Sequence, residues 1–496
     1  MTIDLVIRDV RILDGGGGAA VEGDVGVDSD RIVSVGPSGS AGQGRTEIDG
    51  AGRVLAPGLV DVHSHDDGAL LRHPDMAFKL AQGVTTVVIG NCGFSAAPAE
   101  IGGESTRSFL GVDSTWTDLD GFAAAVDQAA PAVNAVALVG HNSVRSLVMG
   151  DDLNEPDAAQ LDAMKAHVRT AMAQGACGFS SGLIYHPGRS ATTAEVAALA
   201  AEAAPFGGIY ATHMRNEGDH LLESVDEALL VSRTAGVPLQ ISHHKAAGEA
   251  NWGKIVRSLA RVHDAVDAGQ DVTLDVYPYV AGSGPMWQYF DAENPDPDYS
   301  KVIRIAKCPD FPGFEGRMVV DIAEDESRRR NEPLEAHDII RQILAGPGAR
   351  NVISIQFIID EADIETNLRD PLVMVGSDGI ADLSGQPHPR LFGTFPRVLG
   401  HYVRDRGVLP LAEAVRRMTS MSADRFGLVD RGRIVEGGYA DLVLFDPETV
   451  IDTATFDDPK QEPSGIGLVV VNGAVALEQG THSGVGSGRL LRYRQG

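Results

Sequence analysis

His63-Ser64-His65, set at the end of the apolar run Val54 to Val62, is the pair of side chains best placed to do chemistry. The run reads as a buried strand, and strand side chains repeat every two residues. His63 and His65 therefore leave its C-terminal end on the same side. Two imidazoles so placed can close on one metal ion, which takes nitrogen ligands at about 2.0–2.1 Å. A lone His-x-His is a weak signal, as often packing as chemistry.

Matching donor types stand at the ends of other apolar runs. Asn91-Cys92-Gly93 follows the run ending at Ile89, in a turn flanked by glycine. A thiolate there is a good zinc ligand at about 2.3 Å. Thr212-His213-Met214-Arg215, Ser242-His243-His244-Lys245 and Ser377-Asp378-Gly379 end three further runs. Each alone reads as a polar strand end. Together they offer nitrogen, sulfur and oxygen donors to one place, a set suited to Zn²⁺.

The elements that must bring these donors together alternate. Strands are expected at Gly58 to Val62, Val84 to Ile89, Asn134 to Val139, Cys177 to Ser180, Ile209 to Thr212, Leu239 to Ser242, Val272 to Val276 and Leu372 to Val375. Helical segments lie between several of them, Asp157 to Ala173 and Thr193 to Ala203 among them. Eight strands with helices between match a (β/α)₈ barrel, whose chemistry sits at the C-terminal strand ends. A doubly wound sheet is the rival, but no Gly-x-Gly-x-x-Gly opens a helix after the first strand. Val352 to Ile359 reads as a ninth strand, assigned to a lid insertion at about 285–365 over the mouth. Short strands and Gly-rich turns occupy both ends of the chain, including an Asn472-Gly473 hairpin signal. The expected layout is a small β-sandwich domain from residues 1–57 plus 431–496 around a barrel of residues 58–430.

Composition narrows the function. With 43% hydrophobic residues in 496, the chain can bury a large core. A net charge of −28 argues against nucleic-acid and anionic-membrane partners, which are bound through Lys and Arg. Three scattered cysteines, Cys92, Cys177 and Cys308, make no disulfide framework. No stretch of about 18 apolar residues predicts a membrane span, and the start Met1-Thr2-Ile3-Asp4 has no signal-peptide core. A cytoplasmic protein is expected. Nothing in these motifs fixes how subunits associate.

The motifs together resemble the D-aminoacylase (N-acyl-D-amino-acid deacylase) family of the amidohydrolase superfamily. The resemblance rests on Ala56-Pro57-Gly58-Leu59-Val60-Asp61-Val62-His63-Ser64-His65, Asn91-Cys92-Gly93, Ser181-Gly182-Leu183-Ile184-Tyr185, Thr212-His213-Met214-Arg215 and Ser242-His243-His244-Lys245. Ser377-Asp378-Gly379, His388-Pro389-Arg390, Gly393-Thr394-Phe395-Pro396-Arg397 and the tail Gly437-Gly438-Tyr439-Ala440-Asp441 extend it over nearly the whole chain. It implies that Cys92, His213 and His243 hold a tightly bound zinc, while His63, His65 and Asp378 complete a second, weaker position. Family spacing favours His243 over His244. The resemblance also implies that Lys245, Tyr277 and Ser283 bind the substrate α-carboxylate, with Tyr185 and Arg390 near the pocket.

Hydrolysis of the amide of an N-acyl-D-amino acid, a small molecule, is the function this resemblance implies. Asp378 is the carboxylate expected to take the water's proton and pass it to the leaving amine. Asp66 and Asp67 are alternatives that read as supporting or solvated residues. Met286, Trp287 and Phe290 are expected to line an apolar pocket, favouring hydrophobic side chains. Rival readings are a cyclic-amide hydrolase of the dihydroorotase or hydantoinase type, a D-residue dipeptidase, or a barrel that has lost its metals. Asn91-Cys92-Gly93 argues against the ring-opening relatives, which usually carry a carboxylated lysine.

Overall fold

A computed structural model of the protein describes residues 3–102 and 111–494, so the reading of the start Met1-Thr2 as lacking a signal-peptide core lies partly outside the described residues. Eight parallel strands form its centre: β1 (Leu59–Asp61), β2 (Val84–Ile89), β3 (Asn134–Gly140), β4 (Gly178–Gly182), β5 (Ile209–His213), β6 (Leu239–Ile241), β7 (Val272–Val276) and β8 (Val373–Val375). Each pairs with its neighbour in chain order. Just past the ends of β1 and β8, Ser64–His65 pairs in parallel with Gly379–Ile380. The backbone amide of Asp378 also donates to the carbonyl of His63 at 2.7 Å. The eight strands thus make a nearly closed barrel of the TIM type.

Period-two alternation sorts the barrel residues. Val60, Val88, Val136, Cys177, Ile209, Ala211 and Met374 form an inner cluster closed below by Phe426 and Tyr493. Their neighbours Val87, Ala135, Phe179, Tyr210, Leu274 and Val373 face the helices. The helix at Ala158–Ala173 starts in a capping box between Asp157 and Gln160. The helix at Thr193–Ala200 is capped by Thr192. It was expected to reach Ala203, but it tightens into a 3₁₀ turn at Ala201–Phe206, where Pro205 lacks the donor an α-helix needs.

Strands from both chain ends form one mixed nine-stranded sheet, joined where Val54–Pro57 runs antiparallel to Leu442–Phe445. One face buries Leu5, Ile7, Val25, Val27, Leu442 and Leu468. The other, with Val54, Val443, Phe445 and Val469, joins the barrel's outer core. The Asn472-Gly473 turn has φ of 48° and 79°, and a Cβ on Gly473 would fall 1.8 Å from the carbonyl of Ser29.

Between β7 and β8 the chain makes a three-stranded antiparallel sheet of Gly282–Pro285, Ile353–Gln356 and Ile303–Lys307. The extra strand read at Val352 to Ile359 is the middle one. Met286 and Phe290 were expected to line a substrate pocket. They are buried with Ile303, Ile322, Ile339 and Ile343 in this excursion's own core. An excursion this long needs a core of its own, and its largest apolar residues supply it. Trp287 packs against the edge of the same core, with the Arg350 guanidinium 4.2 Å from its ring and His186 edge-on to it. Among the described residues, no helix is long and apolar enough to cross a membrane.

Candidate metal centre

The donors gather at the C-terminal mouth of the barrel. Cys92 Sγ lies 3.3 Å from His63 Nε2, 3.4 Å from His243 Nε2 and 3.7 Å from His213 Nδ1. A tetrahedral ion with a sulfur ligand at about 2.3 Å and nitrogen ligands at about 2.0–2.1 Å separates them by about 3.5 Å. The side chains therefore stand at the spacing a shared zinc-sized ion requires. His65 Nε2 and His63 Nε2 lie 3.2 and 3.5 Å from Asp378 Oδ1. Two donor groups result, His63–His65–Cys92–Asp378 and Cys92–His213–His243, with Cys92 common to both.

Local backbone conformation aims three of these side chains. Cys92, His243 and Asp378 have φ of 54°, 35° and 49°, a region that non-glycine residues rarely adopt. Such outliers cluster at sites where the surrounding structure over-determines them. Gly93 makes the Cys92 turn possible, because a Cβ there would meet the backbone nitrogen of Gly182 at 2.8 Å.

The electrostatics favour ionised donors. Burial opposes ionisation of the Cys92 thiol, but His63 and His243 outweigh it and hold the thiol well below its usual range. Burial likewise opposes the charge on Asp378. Arg390 first, then His243 and His63, hold that carboxyl well below the ordinary carboxylate value. Arg390, itself buried, places Nη1 2.9 Å from Asp378 Oδ2. Its Nη2 donates to the carbonyl of Ser283 at 3.0 Å. These contacts tie Arg390 to both Asp378 and the backbone at Ser283.

Two carboxylates that the motifs did not single out support the centre. Asp275, at the end of β7, accepts from the amide of His243 at 2.8 Å and from Gln240 at 2.7 Å, and faces His63 Nδ1 at 3.2 Å. Glu217 stands 2.6 Å from Lys245 Nζ, 3.0 Å from His243 Nδ1 and 3.4 Å from His213 Nε2. Only its place four residues beyond His213, in the loop leaving β5, hinted at it. Lys245 was read as a cation for substrate, and here it is already paired with Glu217.

The remaining expected residues divide. Tyr277 is buried with its ring 4.5 Å from the Arg390 guanidinium and 5.8 Å from Lys245 Nζ. Tyr185 has its ring 4.6 Å from that of His213, and its hydroxyl meets the Tyr289 hydroxyl at 2.7 Å. Ser283 lies on the excursion's first strand, beside Arg390 in a cavity that also reaches His388 and Lys307. His244 points away from the donors onto Asn367 and Ser258, at 2.8 and 2.6 Å, and burial pushes its imidazole down to about 4. Asp66 and Asp67 are fully buried, which removes the solvated reading. Asp66 pairs with Lys79 at 3.1 Å, and Asp67 accepts from the amides of Gly90 and Ala96. Cys177 and Cys308 lie in apolar clusters away from the donors.

Nitrogen, sulfur and oxygen donors on the C-terminal ends of a parallel barrel define a metal-binding barrel of the hydrolase kind. The chain belongs to the amidohydrolase family, whose model matches residues 46–312 and 332–477. It is 39% identical to the D-aminoacylase of Alcaligenes xylosoxydans xylosoxydans, over 98% of this chain and 97% of that one. Identity to the N-acyl-D-glutamate deacylase of the same organism is also 39%, covering 99% and 96%. The crystal structure of N-acyl-D-glutamate deacylase from Bordetella bronchiseptica, complexed with zinc and a phosphonate mimic of the tetrahedral intermediate, superposes with a TM-score of 0.91. That match has 37% identity and covers 99% of this chain and 100% of that one.

Proposed function

We propose that this enzyme hydrolyses the amide bond of N-acyl-D-amino acids, giving a D-amino acid and a carboxylate, with zinc as its metal. The observation that carries the reading is the pair of donor groups sharing Cys92. The chemistry and the D configuration are supported by near full-length relatives named for those activities. In this reading Cys92, His213 and His243 hold the tight zinc, and His63, His65 and Asp378 offer a second, weaker position. When bound, zinc supplies Lewis acidity to a water and to the substrate carbonyl.

The chain's own residues do the rest. Asp378, kept ionised by Arg390, takes the attacking water's proton and passes it to the leaving amine nitrogen. Lys245, Tyr277 and Ser283 receive the α-carboxylate, and Arg390 fixes the wall they share. Tyr185 closes the mouth above His213. With Tyr289 and Phe94 beside Tyr185, the mouth is rich in aromatic surface, which favours hydrophobic substrate side chains. The linear-amide reading is supported by Cys92, the donor common to both groups, standing where ring-opening relatives would usually carry a carboxylated lysine. The nearby lysines are ion-paired, Lys79 with Asp61 and Lys245 with Glu217, which leaves Lys245 further N–H groups for the substrate.

Residues 1–57 and 431–496 are read as one composite β-domain, and 58–430 as the hydrolase barrel with its lid. A reducing cytoplasm is supported by the three free buried cysteines.

Turnover of N-acetyl-D-leucine, N-acetyl-L-leucine and N-acetyl-D-glutamate by the zinc-loaded protein tests the proposal. Fast release from the D-leucine derivative alone is expected. A preference for D-glutamate would keep the reaction and overturn the hydrophobic side chain. No turnover of any of the three would overturn the reaction and bring the cyclic-amide reading forward.

A further inference from the structure

One buried carboxylate touches both histidines of the Cys92–His213–His243 group and the lysine beside them. Glu217 Oε1 lies 2.6 Å from Lys245 Nζ and 3.0 Å from His243 Nδ1, while Oε2 faces His213 Nε2 at 3.4 Å. The two histidines turn opposite nitrogens to Cys92, Nδ1 of His213 and Nε2 of His243. In each ring the nitrogen left over therefore faces Glu217, at ion-pair distance, and among the described residues His213 Nε2 has no hydrogen-bond partner to compete with that carboxylate. A ring that gives one lone pair to a metal must carry its proton on the other nitrogen, and a carboxylate behind that proton fixes ring tautomer and orientation. Lys245 Nζ is also 2.9 Å from His243 Nδ1. Donor and acceptor in that contact depend on the tautomer of His243, and with a proton on Nδ1 the acceptor within reach of both groups is Glu217 Oε1.

We propose that Glu217 is a positioning residue that couples metal retention to recognition of the substrate's carboxylate. Its two oxygens hold His213 and His243 in the tautomers that present Nδ1 and Nε2 to the metal. Oε1 also holds the Lys245 ammonium at the barrel mouth. The inference rests on the metal-dependent hydrolase reading given above. It separates the residue's effect into two parts. Loss of the carboxylate loosens the metal, and independently releases Lys245 from the position in which it meets an anionic substrate.

Glu217→Gln keeps the side chain's shape and removes its charge. Its dissociation constant for zinc, read by competition with a chromophoric chelator, should rise by about 10- to 100-fold. Saturating zinc should restore kcat for N-acetyl-D-leucine, while KM stays raised by at least about tenfold. A merely structural role would not produce that split. Wild-type zinc affinity, or recovery of KM together with kcat, would overturn the proposal. If the variant does not fold, nitrogen-15 NMR of the histidine rings in zinc-loaded wild-type protein decides. His213 protonated at Nε2 and His243 at Nδ1 is the expected result, and a bare outer nitrogen on either ring overturns it. The chelator and NMR measurements use no substrate. An inactive wild-type enzyme that still binds zinc would thus fail the functional reading without failing this one.

Discussion

Asp378 carries two demands with its two oxygens. Oδ1 faces His65 and His63, and Oδ2 is held by Arg390, on a backbone forced to φ 49°. An asparagine fits the same space and keeps the Arg390 side of the contact partly satisfied, but it cannot take a proton. Asp378→Asn should therefore lower kcat by about 10²- to 10⁴-fold. Zinc at Cys92, His213 and His243 should remain, as counted by elemental analysis of the purified variant. Turnover at the wild-type rate would move the base elsewhere. At this scale the cluster of His, Cys and Asp side chains was legible because they stood at strand ends, where side-chain direction follows from period two. Asp275 and Glu217 were not legible. They are two among 69 acidic residues, and neither repeats nor adjoins a recognisable donor pair. What makes them matter is a fold that brings β5, β6 and β7 side by side, and the positive φ of His243, which no spacing rule displays.

Elements close the barrel less evenly than its strand count suggests. Between β1 and β8 the backbone ladder is confined to Ser64–His65 against Gly379–Ile380. Below it, side chains do the joining. Lys79 Nζ reaches Asp61 Oδ2 at 2.5 Å, Ser377 Oγ at 3.0 Å and Asp66 Oδ2 at 3.1 Å, and Asp61 accepts from the Ser377 amide at 2.8 Å. All four side chains are buried. Removing the cation leaves two carboxylates in a closed space, and breaking a buried pair from one side costs about 3–5 kcal/mol. Lys79→Met should accordingly shift the urea midpoint of the metal-loaded protein clearly downward. A midpoint equal to wild type would mean that the seam does not depend on this cluster. The eight strands themselves were readable from apolar runs, since a strand buried on both faces leaves an unbroken one. The seam was not, because Lys79 sits on a short helical turn whose sequence gives no sign that its charge is turned inward.

The whole molecule ties distant parts of the chain to one point. His63 and His65 come after β1, Cys92 after β2, His213 from β5, His243 after β6 and Asp378 after β8. An ion bound by these groups exists only in the folded barrel, so its binding free energy adds to folding stability. At a free concentration 100 times the dissociation constant that addition is about 2.7 kcal/mol. Chelated protein should therefore melt below the zinc-loaded form, and the melting midpoint should climb with free zinc even after the tight site is half filled. Cys92→Ala, which removes the one donor common to both groups, should flatten that dependence and abolish turnover together. Differential scanning calorimetry of the wild type and of Cys92→Ala across a buffered zinc series measures the dependence, and release of leucine from N-acetyl-D-leucine measures the turnover. A wild-type midpoint indifferent to zinc would mean that these donors, though gathered at one place, do not clamp the barrel. The strain at Cys92, His243 and Asp378 would then need another explanation than metal binding.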